Sequence, residues 1–237
     1  MVTSQETQAK AQYVGSMFAR IARRYDFVNS VMTAGRHGAW RRMALAMADP
    51  PEGALGLDVA CGTGDFALAL ARRPVLGVVA ADFCQEMLSV AREKASRRGA
   101  QDQVHFQMAD ALSLPFPDDQ FHCVTIGFAL RNVASIDRCL AELFRVTRPG
   151  GRTVSLELTS LGRGPLAPLV HIYLKKAIPM LGGLLTGQRE AYRYLPNSVM
   201  GFPSPERLAE MMRKAGFSRV WSRQLALGAV AIHVGEK

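Results

Sequence analysis

One short segment, in which an apolar run is followed by a helical pattern, contains acidic residues and two glycines. Asp58 lies inside the apolar run, and Gly62 and Gly64 follow it just before the helical pattern begins. Glycines allow a close ligand approach that a Cβ would block, and the first turn of a helix presents unpaired backbone N–H groups. The spacing therefore predicts a loop that holds a small molecule at the end of a strand.

Two further positions favour an adenosine group in this loop. Asp82 ends the next predicted strand, at the position from which an acid accepts hydrogen bonds from ribose hydroxyls. Asp110 and Ala111 follow the third predicted strand, where they are well placed to contact an adenine amino group. The pattern therefore indicates a cofactor that carries a nucleoside.

On the loop alone, a nicotinamide-dependent reductase is a rival interpretation. The pattern Gly62-x-Gly64-x-x-Ala67 fits the fingerprint of dinucleotide-binding enzymes. A loop that binds pyrophosphate would gain nothing from the additional anions of Asp58 and Asp65. Asp58 could instead organise the loop and reach a positively charged amino-acid group, so S-adenosylmethionine is the favoured cofactor.

The elements that position these residues alternate along the chain. Strands are predicted at Leu55–Ala60, Val75–Ala81, Val104–Met108, His122–Phe128, Thr153–Leu158, Val220–Leu225 and Ala229–Val234. Helices are predicted at Asp65–Arg73, Gln85–Arg98, Ile136–Thr147 and Pro205–Ala215. This alternation predicts an α/β fold with a mostly parallel sheet and helices on both faces. The last two strands are joined by so short a link that they must run antiparallel, which gives one reversed strand at the end of the sheet.

The chain is predicted to form a single domain with helical additions around this sheet. Helical spacing extends over Val14–Ala48, and the apolar segment Gly162–Gly187 fits no crossover helix of ordinary length. The predicted parts are an N-terminal helical cap (1–50), a cofactor-binding core (51–160), an inserted helical cap over the substrate (161–200), and a final helix with the antiparallel strands (201–237).

Composition excludes several other classes of protein. The 237 residues are 49% hydrophobic and 21% charged, and no segment approaches the roughly 20 apolar residues that span a bilayer. The four cysteines are far apart, which argues against a zinc site or a disulfide framework and favours the cytoplasm. The net charge of +9 lacks a basic run interleaved with aromatic residues, so nucleic-acid binding is not expected.

Five blocks of residues are distinctive beyond the loop. They are Phe18–Asn29 with Gly35–Arg41, Leu57–Asp65, Asp110–Asp118 with Gly127–Val133, Glu190–Ser198, and Gly228–His233. Together they resemble the ubiquinone/menaquinone biosynthesis C-methyltransferases over residues 17–237. The glycine loop is common to most methyltransferases of this fold. The motifs Tyr25-Asp26-x-x-Asn29, Leu130-Arg131-Asn132 and Tyr192-x-Tyr194-Leu195 are much more particular to the family.

The resemblance implies a class I, Rossmann-like methyltransferase fold, with S-adenosylmethionine as methyl donor and the ring of a polyprenylated hydroquinone as acceptor. Demethylmenaquinol is favoured because of the family's wider distribution, and a benzoquinol or another small lipid stays an alternative. The expected cofactor contacts are Asp58, Cys61, Gly62, Thr63, Gly64, Asp82, Phe83, Met87, Asp110, Ala111 and Gly127. Gly127 stands where the family often has a serine, so only its backbone could serve there.

Methylation of an aromatic carbon is easier once the neighbouring phenol has lost its proton. Arg131 is the first candidate for this step, either stabilising the phenolate or orienting a water, since a guanidinium is too basic to act as an ordinary base. His37 and Asp26 are the alternative proton acceptors. Glu157 either faces the same pocket or pairs with an arginine. The residues expected around the substrate are Tyr25, Asn29, Arg131, Asn132, Tyr192 and Tyr194.

The apolar segment Leu166–Leu185 is suited to hold an isoprenoid tail. The protein is expected in the cytoplasm, as the cysteines indicate. Because such a substrate resides in a membrane, peripheral association with the inner face of the membrane is a further hypothesis. The positive charge would agree with loose binding to anionic lipid headgroups. The sequence also allows a homodimer, but it does not indicate the oligomeric state.

Overall fold

The computed structural model describes residues 4–159, 176, 180, 182–183 and 189–237. Most of the predicted inserted cap, Gly162–Gly187, lies outside these residues, as does most of the apolar segment Leu166–Leu185. Both therefore stay predictions.

Seven strands form one sheet at the centre of the protein. They are β1 (Leu55–Val59), β2 (Gly77–Asp82), β3 (Val104–Met108), β4 (Phe121–Gly127), β5 (Thr147–Leu158), β6 (Arg219–Leu225) and β7 (Val230–Glu236). Their order is β3-β2-β1-β4-β5-β7-β6. The first five strands pair in parallel, whereas β7 is antiparallel to both β5 and β6. The predicted sheet, mostly parallel with one reversed strand, is confirmed.

Helices cover both faces of this sheet. They are α1 (Ser4–Ile21), α2 (Tyr25–Met32), α3 (His37–Ala48), α4 (Asp65–Leu70), α5 (Gln85–Arg97), α6 (Ile136–Val146), α7 (Arg189–Met200) and α8 (Pro205–Lys214). Apolar side chains of α6 and α8 pack on one face, and those of α3 and α4 pack on the other. Burial of these two apolar layers is the main stabilising contribution to the fold.

The predicted place of the reversed strand at the end of the sheet is wrong. β7 lies between β5 and β6, and β6 forms the edge. The side chains explain this order, since β7 is buried along nearly all its length, whereas β6 exposes Arg219, Ser222 and Arg223. The strand with polar residues takes the edge, where charged side chains are tolerated.

The predicted start of β5 at Thr153 is also wrong, because the strand begins at Thr147. The Pro149–Gly151 segment follows the end of α6 as predicted, but the backbone continues through it as a strand. The pairing with β4 accommodates the extra residues by a register shift between Phe121 and Cys123.

Parallel pairing brings three loops together at one edge of the sheet. Asp58 on β1 lies beside Ala80 on β2 and Thr125 on β4, so the carboxyl ends of these strands are level. Gly62, Asp82 and the segment after Gly127 therefore lie close together at this edge, where open α/β sheets bind their ligands.

Candidate active site

Asp82 fixes the glycine loop to the end of β2. Its Oδ2 accepts a hydrogen bond from the backbone N–H of Gly62 at 2.7 Å, and its Oδ1 accepts one from the N–H of Cys84 at 2.8 Å. The residue is only 6% exposed. Burial raises the pKa of Asp82, and these N–H groups oppose the rise because they stabilise the charged form.

Asp58 joins β1 to the helix behind the loop. Its Oδ2 accepts a hydrogen bond from the N–H of Ala67 at 2.9 Å, and its Oδ1 accepts one from the hydroxyl of Thr125 at 2.8 Å. Burial raises the pKa of this carboxyl to about 7. Asp58 therefore organises the loop, as the sequence suggested, by satisfying a backbone N–H in the first turn of α4.

A cavity of about 360 Å³ opens beside this loop. Seven of the predicted cofactor residues line it: Gly62, Asp82, Phe83, Met87, Asp110, Ala111 and Gly127. Its lining fits S-adenosylmethionine. The carboxylate of Asp82 can accept hydrogen bonds from ribose hydroxyls, and Phe83, Met87 and Leu112 supply apolar walls for a flat base.

The other four predicted cofactor residues lie just behind this cavity. Asp58, Cys61 and Thr63 line an adjoining recess of about 30 Å³. Gly64 has a φ of 79°, and a Cβ there would stand 3.2 Å from the Cβ of Ala91. Gly64 therefore serves the close packing of the loop on α5.

Gly127 and Phe66 form a matched pair at the end of β4. A Cβ added to Gly127 would lie 2.5 Å from Cε2 of Phe66, closer than van der Waals contact allows. The phenyl ring thus occupies the space that a side chain at position 127 would need. A side chain at position 127 would therefore require the Phe66 ring to shift.

A second cavity of about 380 Å³ adjoins the first. Phe18, Tyr25, Phe128 and Asn132 line both cavities and so form the boundary between them. The second cavity collects five of the six predicted substrate residues and one predicted proton acceptor: Tyr25, Asn29, Arg131, Asn132, Tyr194 and His37. These residues come from distant parts of the chain and meet at the carboxyl edge of the sheet.

The remaining predicted substrate residue, Tyr192, belongs to α7, but its side chain lies outside the described part of the structure. The ring of Tyr194 packs at 5.9 Å from the ring of Tyr13 on α1. Tyr25 and Asn29 both line this cavity, and burial raises the pKa of the Tyr25 phenol. The helical cap and α7 therefore meet around this cavity.

Arg131 is held by the fully buried Glu157. Nη1 of Arg131 contacts Oε1 of Glu157 and also donates to the carbonyl oxygen of Phe128 at 2.7 Å. Burial raises the pKa of Glu157, and the Arg131 charge opposes this rise. Of the two sequence alternatives for Glu157, the structure shows the pairing with an arginine. This anchor fixes the guanidinium at the wall of the second cavity.

Five charged and polar side chains form a cluster between the helical cap and the glycine loop. Lys94 of α5 contacts Asp26 of α2, donates to Thr63 at 3.0 Å, and pairs with Asp65 at 2.9 Å. Thr63 donates to Asp26 at 2.5 Å, and Arg41 of α3 pairs with Asp65 at 3.2 Å. We call these five residues the cap–loop cluster.

This cluster defines the surroundings of Asp26, one of the two predicted proton acceptors. Its carboxylate is engaged by Lys94 and Thr63, and Asp26 is absent from the lining of the first and second cavities. His37, the other predicted acceptor, lines the second cavity. Burial and the charge of Arg41 lower the pKa of His37.

Sequence reasoning missed Lys94 and Arg41. One signal was available for Lys94, because it lies on the face of α5 that buries Met87, Ala91 and Ala95. A lysine on an apolar helix face is seldom buried without a partner. Its partners come from two other helices and the glycine loop, so spacing along α5 could not identify them.

Comparison with known proteins identifies the family. The model of the ubiE/COQ5 methyltransferase family matches residues 6–237. The chain belongs to this family. It is 47% identical to the demethylmenaquinone methyltransferase of Thermus thermophilus, over 93% of this chain and 100% of that protein. It is 41% identical to the ubiquinone/menaquinone biosynthesis C-methyltransferase of Desulfotalea psychrophila, over 97% of this chain and 92% of that one.

Solved structures show the same fold at low sequence identity. An S-adenosylmethionine-dependent methyltransferase from Aquifex aeolicus has a TM-score of 0.61 and 20% identity, covering 88% of this chain and 95% of that one. The [4+2]-cyclase SpnF has a TM-score of 0.68 and 18% identity, covering 94% of this chain and 95% of that chain. The class I methyltransferase fold is therefore confirmed.

The enzyme class and cofactor follow from the family. The chain is a methyltransferase that uses S-adenosylmethionine, as the acids around the glycine loop predicted. The nicotinamide-dependent reductase suggested by the glycine pattern alone is not favoured, because every residue from 6 to 237 falls within a methyltransferase family model.

Proposed function

We propose that this enzyme transfers a methyl group to a ring carbon of a polyprenylated hydroquinone, converting demethylmenaquinol to menaquinol. The observation that carries the proposal is the pair of adjoining cavities, whose shared boundary consists of Phe18, Tyr25, Phe128 and Asn132. One cavity fits the methyl donor, and the other is a separate apolar space of similar size. Relatives at 39–47% identity are demethylmenaquinone methyltransferases and ubiquinone/menaquinone biosynthesis C-methyltransferases, which supports the choice of acceptor.

The second cavity suits a flat aromatic ring with an apolar tail. Its apolar lining includes Met17, Ile21, Trp40, Leu158 and Leu195. Polar side chains such as Asn29, His37 and Arg131 also line it, and such groups orient a ligand while the apolar wall binds it. A ring placed there would face the boundary with the donor cavity.

Arg131 is suited to stabilise the acceptor as a phenolate. When bound, S-adenosylmethionine supplies an electrophilic methyl group. The guanidinium of Arg131, held by Glu157, offers a fixed positive charge at the cavity wall. Such a preorganised charge stabilises a developing anion more than water does. We assign Asp26 to holding α2 within the cap–loop cluster.

We also propose that the helical cap contacts the membrane that holds the substrate. In the described part of the chain, no helix is long and apolar enough to cross a membrane. On α2, Phe27 is 60% exposed and Val31 is 41% exposed, and exposed Arg20 and Arg23 precede them. Leu227 is 75% exposed beside Ala226 and Ala229, which line the second cavity. Apolar side chains beside basic residues favour an anionic lipid surface.

A direct assay tests the acceptor. Purified enzyme is incubated with S-adenosylmethionine and chemically reduced demethylmenaquinone in detergent, and products are measured by mass spectrometry. We expect a gain of one methyl group on the ring and an equal amount of S-adenosylhomocysteine. A demethylated benzoquinol is assayed in parallel. Preferential methylation of the benzoquinol would overturn the choice of acceptor, and lack of turnover with both quinols would overturn the proposed reaction.

Flotation with vesicles tests the membrane contact. We expect the wild type to float with anionic vesicles at low salt and the Phe27→Ser, Val31→Ser double variant to remain unbound. Leu76→Ser is the matched control, because Leu76 is 79% exposed but lines neither cavity in the described structure. Equal flotation of all three proteins would contradict the proposed surface. A homodimer stays a prediction.

A further inference from the structure

Thr33 and His37 form a hydrogen-bonded pair at the rim of the second cavity. Oγ1 of Thr33 lies 2.7 Å from the backbone carbonyl oxygen of Asn29 and 3.1 Å from Nδ1 of His37. The carbonyl oxygen has no proton, so it can only accept. The single hydroxyl proton of Thr33 is therefore donated to Asn29.

This arrangement determines the tautomer of His37. Because Thr33 donates its hydroxyl proton to Asn29, Thr33 Oγ1 can only accept the hydrogen bond that it shares with Nδ1 of His37. Nδ1 must therefore be the donor and carry the proton. In the neutral ring, Nε2 then has the free lone pair. No described residue hydrogen-bonds to Nε2, and His37 is half-buried in the cavity lining.

We infer that His37 accepts the phenolic proton of the acceptor at Nε2, and that Thr33 is the positioning residue that selects this tautomer. The inference rests on the proposed function, because it requires a phenol in the second cavity. Thr33 continues to accept from Nδ1 after the proton has arrived, so it stabilises the imidazolium as well as the neutral base.

The step balances as follows for one methyl transfer. The phenolic O–H bond breaks and its proton moves to Nε2, while the oxygen electron pair delocalises onto the neighbouring ring carbon. That carbon forms a C–C bond to the methyl group as the methyl–sulfur bond breaks and sulfur keeps its electron pair. The ring carbon then releases its hydrogen to water as a proton, and the oxygen regains the proton from His37. One proton is released overall.

The other candidates of the site are less suited to this transfer. A guanidinium is unsuited to act as an ordinary base, and that of Arg131 is paired with Glu157. Asp26 is engaged by Lys94 and Thr63. His37 is the remaining predicted acceptor, and histidine is the side chain that most often acts as a general base.

Charged groups from four elements face His37 and set its charge. Arg41 on α3 and Lys94 on α5 lower the pKa of His37, as burial does, whereas Asp65 on α4 and Asp26 on α2 raise it. Burial and Arg41 dominate, so the pKa lies below its ordinary value of 6.5 and the ring is neutral at pH 7. A neutral ring is the form that can accept a proton.

Nuclear magnetic resonance tests the tautomer without any turnover. Long-range ¹H–¹⁵N spectra of the ¹⁵N-histidine-labelled full chain are recorded at pH 7.5, and the His37→Gln variant assigns the signal. We expect a protonated Nδ1, an unprotonated Nε2, and a midpoint below 6.5 on titration. Thr33→Val should disturb the tautomer, and Thr33→Ser should retain it. A protonated Nε2 in the wild type would overturn the inference.

Kinetics test the role in proton transfer. We expect His37→Gln to lower kcat at least about 100-fold, the range of a lost general base, and to remove the acidic limb of the pH profile. Thr33→Val should lower kcat about tenfold, as for one lost hydrogen bond, and Thr33→Ser should restore it. Affinity for S-adenosylhomocysteine, measured by calorimetry, should be unchanged in all variants.

The outcomes separate this inference from the proposed function. If the wild type methylates the quinol and His37→Gln retains full kcat with an unchanged pH profile, the assignment of the base is wrong and the proposed function stands. If the wild type methylates no quinol, the proposed function is wrong and the inferred step falls with it, whatever the tautomer.

Discussion

Replacement of Lys94 by methionine tests whether the cap–loop cluster holds the helical cap on the glycine loop. The lysine is buried, and its ammonium contacts Asp26, Asp65 and Thr63. Methionine has a similar length and fills the same apolar channel, so the main loss is the positive charge. Two carboxylates then remain, with Arg41 as the one cation left in the cluster.

The expected cost follows from the surroundings of each carboxylate. Breaking a fully buried ion pair typically destabilises a protein by about 3–5 kcal/mol. Here the side chain of Asp26 is 38% exposed and is screened by solvent, and Asp65 keeps Arg41 at 3.2 Å. We therefore expect Lys94→Met to lower the free energy of unfolding by about 2 kcal/mol.

Urea unfolding at pH 7.5 measures this cost. Lys214→Met is the matched control, because Lys214 is exposed on α8, and it should change the free energy of unfolding by less than about 0.5 kcal/mol. Asp26→Asn and the double variant with Lys94→Met complete a thermodynamic cycle. We expect the double variant to be more stable than the two single losses predict, by about 1 kcal/mol.

Two results would refute this reasoning. A Lys94→Met protein as stable as the control would mean that the buried ammonium contributes nothing beyond its apolar stem. Strictly additive losses in the cycle would mean that Lys94 and Asp26 do not interact in solution, and the cap would have to be held by apolar packing alone.

Three further predictions concern the sheet edge. Gly127→Ser should weaken S-adenosylhomocysteine binding and lower the melting temperature, because the new Cβ would lie 2.5 Å from the Phe66 ring. Adding Phe66→Leu should recover part of the binding and part of the melting temperature. No recovery would contradict the clash. The pKa of Asp58 is raised from 3.8 to about 7 by burial, so its contribution to stability is present below pH 4 and is lost as pH rises to 7. Asp58→Asn should flatten that part of the stability profile measured by urea unfolding, and an unchanged slope would contradict the assignment. Arg131→Ala should lower kcat about 100- to 1000-fold, with little change in S-adenosylhomocysteine affinity measured by calorimetry. Because this change leaves Glu157 unpaired, the Arg131→Met, Glu157→Gln double variant serves as the folded control. Full turnover in either variant would exclude the role of the guanidinium.

The sequence brought the predicted cofactor residues to one place in the fold, because they lie in short segments at strand ends; their contact with the cofactor stays a prediction. Asp82 and Asp110 each follow an apolar strand, and parallel pairing brings such positions to one edge. Most of these residues line the first cavity. The alternation of apolar and helical segments likewise defined six of the seven strands to within a few residues, with the start of β5 as the exception.

The pairing partners of charged residues could not be predicted from spacing. Lys94 meets residues of two other helices and the glycine loop, and the partner of Arg131, Glu157, lies 26 positions away along the chain. Such pairs depend on how elements pack, which a single sequence does not encode locally. The position of β7 between β5 and β6 could not be predicted for the same reason. A short link determines that two strands run antiparallel, but it does not determine which strand pairs with the other side of β7.

Helix α2 contacts both cavities and the glycine loop. It carries Tyr25, which lies on the boundary of the two cavities, and next to it Asp26, which grips Thr63 of the glycine loop. A ligand that draws α2 toward one cavity thereby alters the other. Thermodynamic linkage then requires the effect to be reciprocal. If the bound donor changes the affinity for the quinol by some factor, the bound quinol changes the affinity for the donor by the same factor. Tyr25 and Asp26, adjacent in the first turn of α2, thus connect both cavities with the glycine loop.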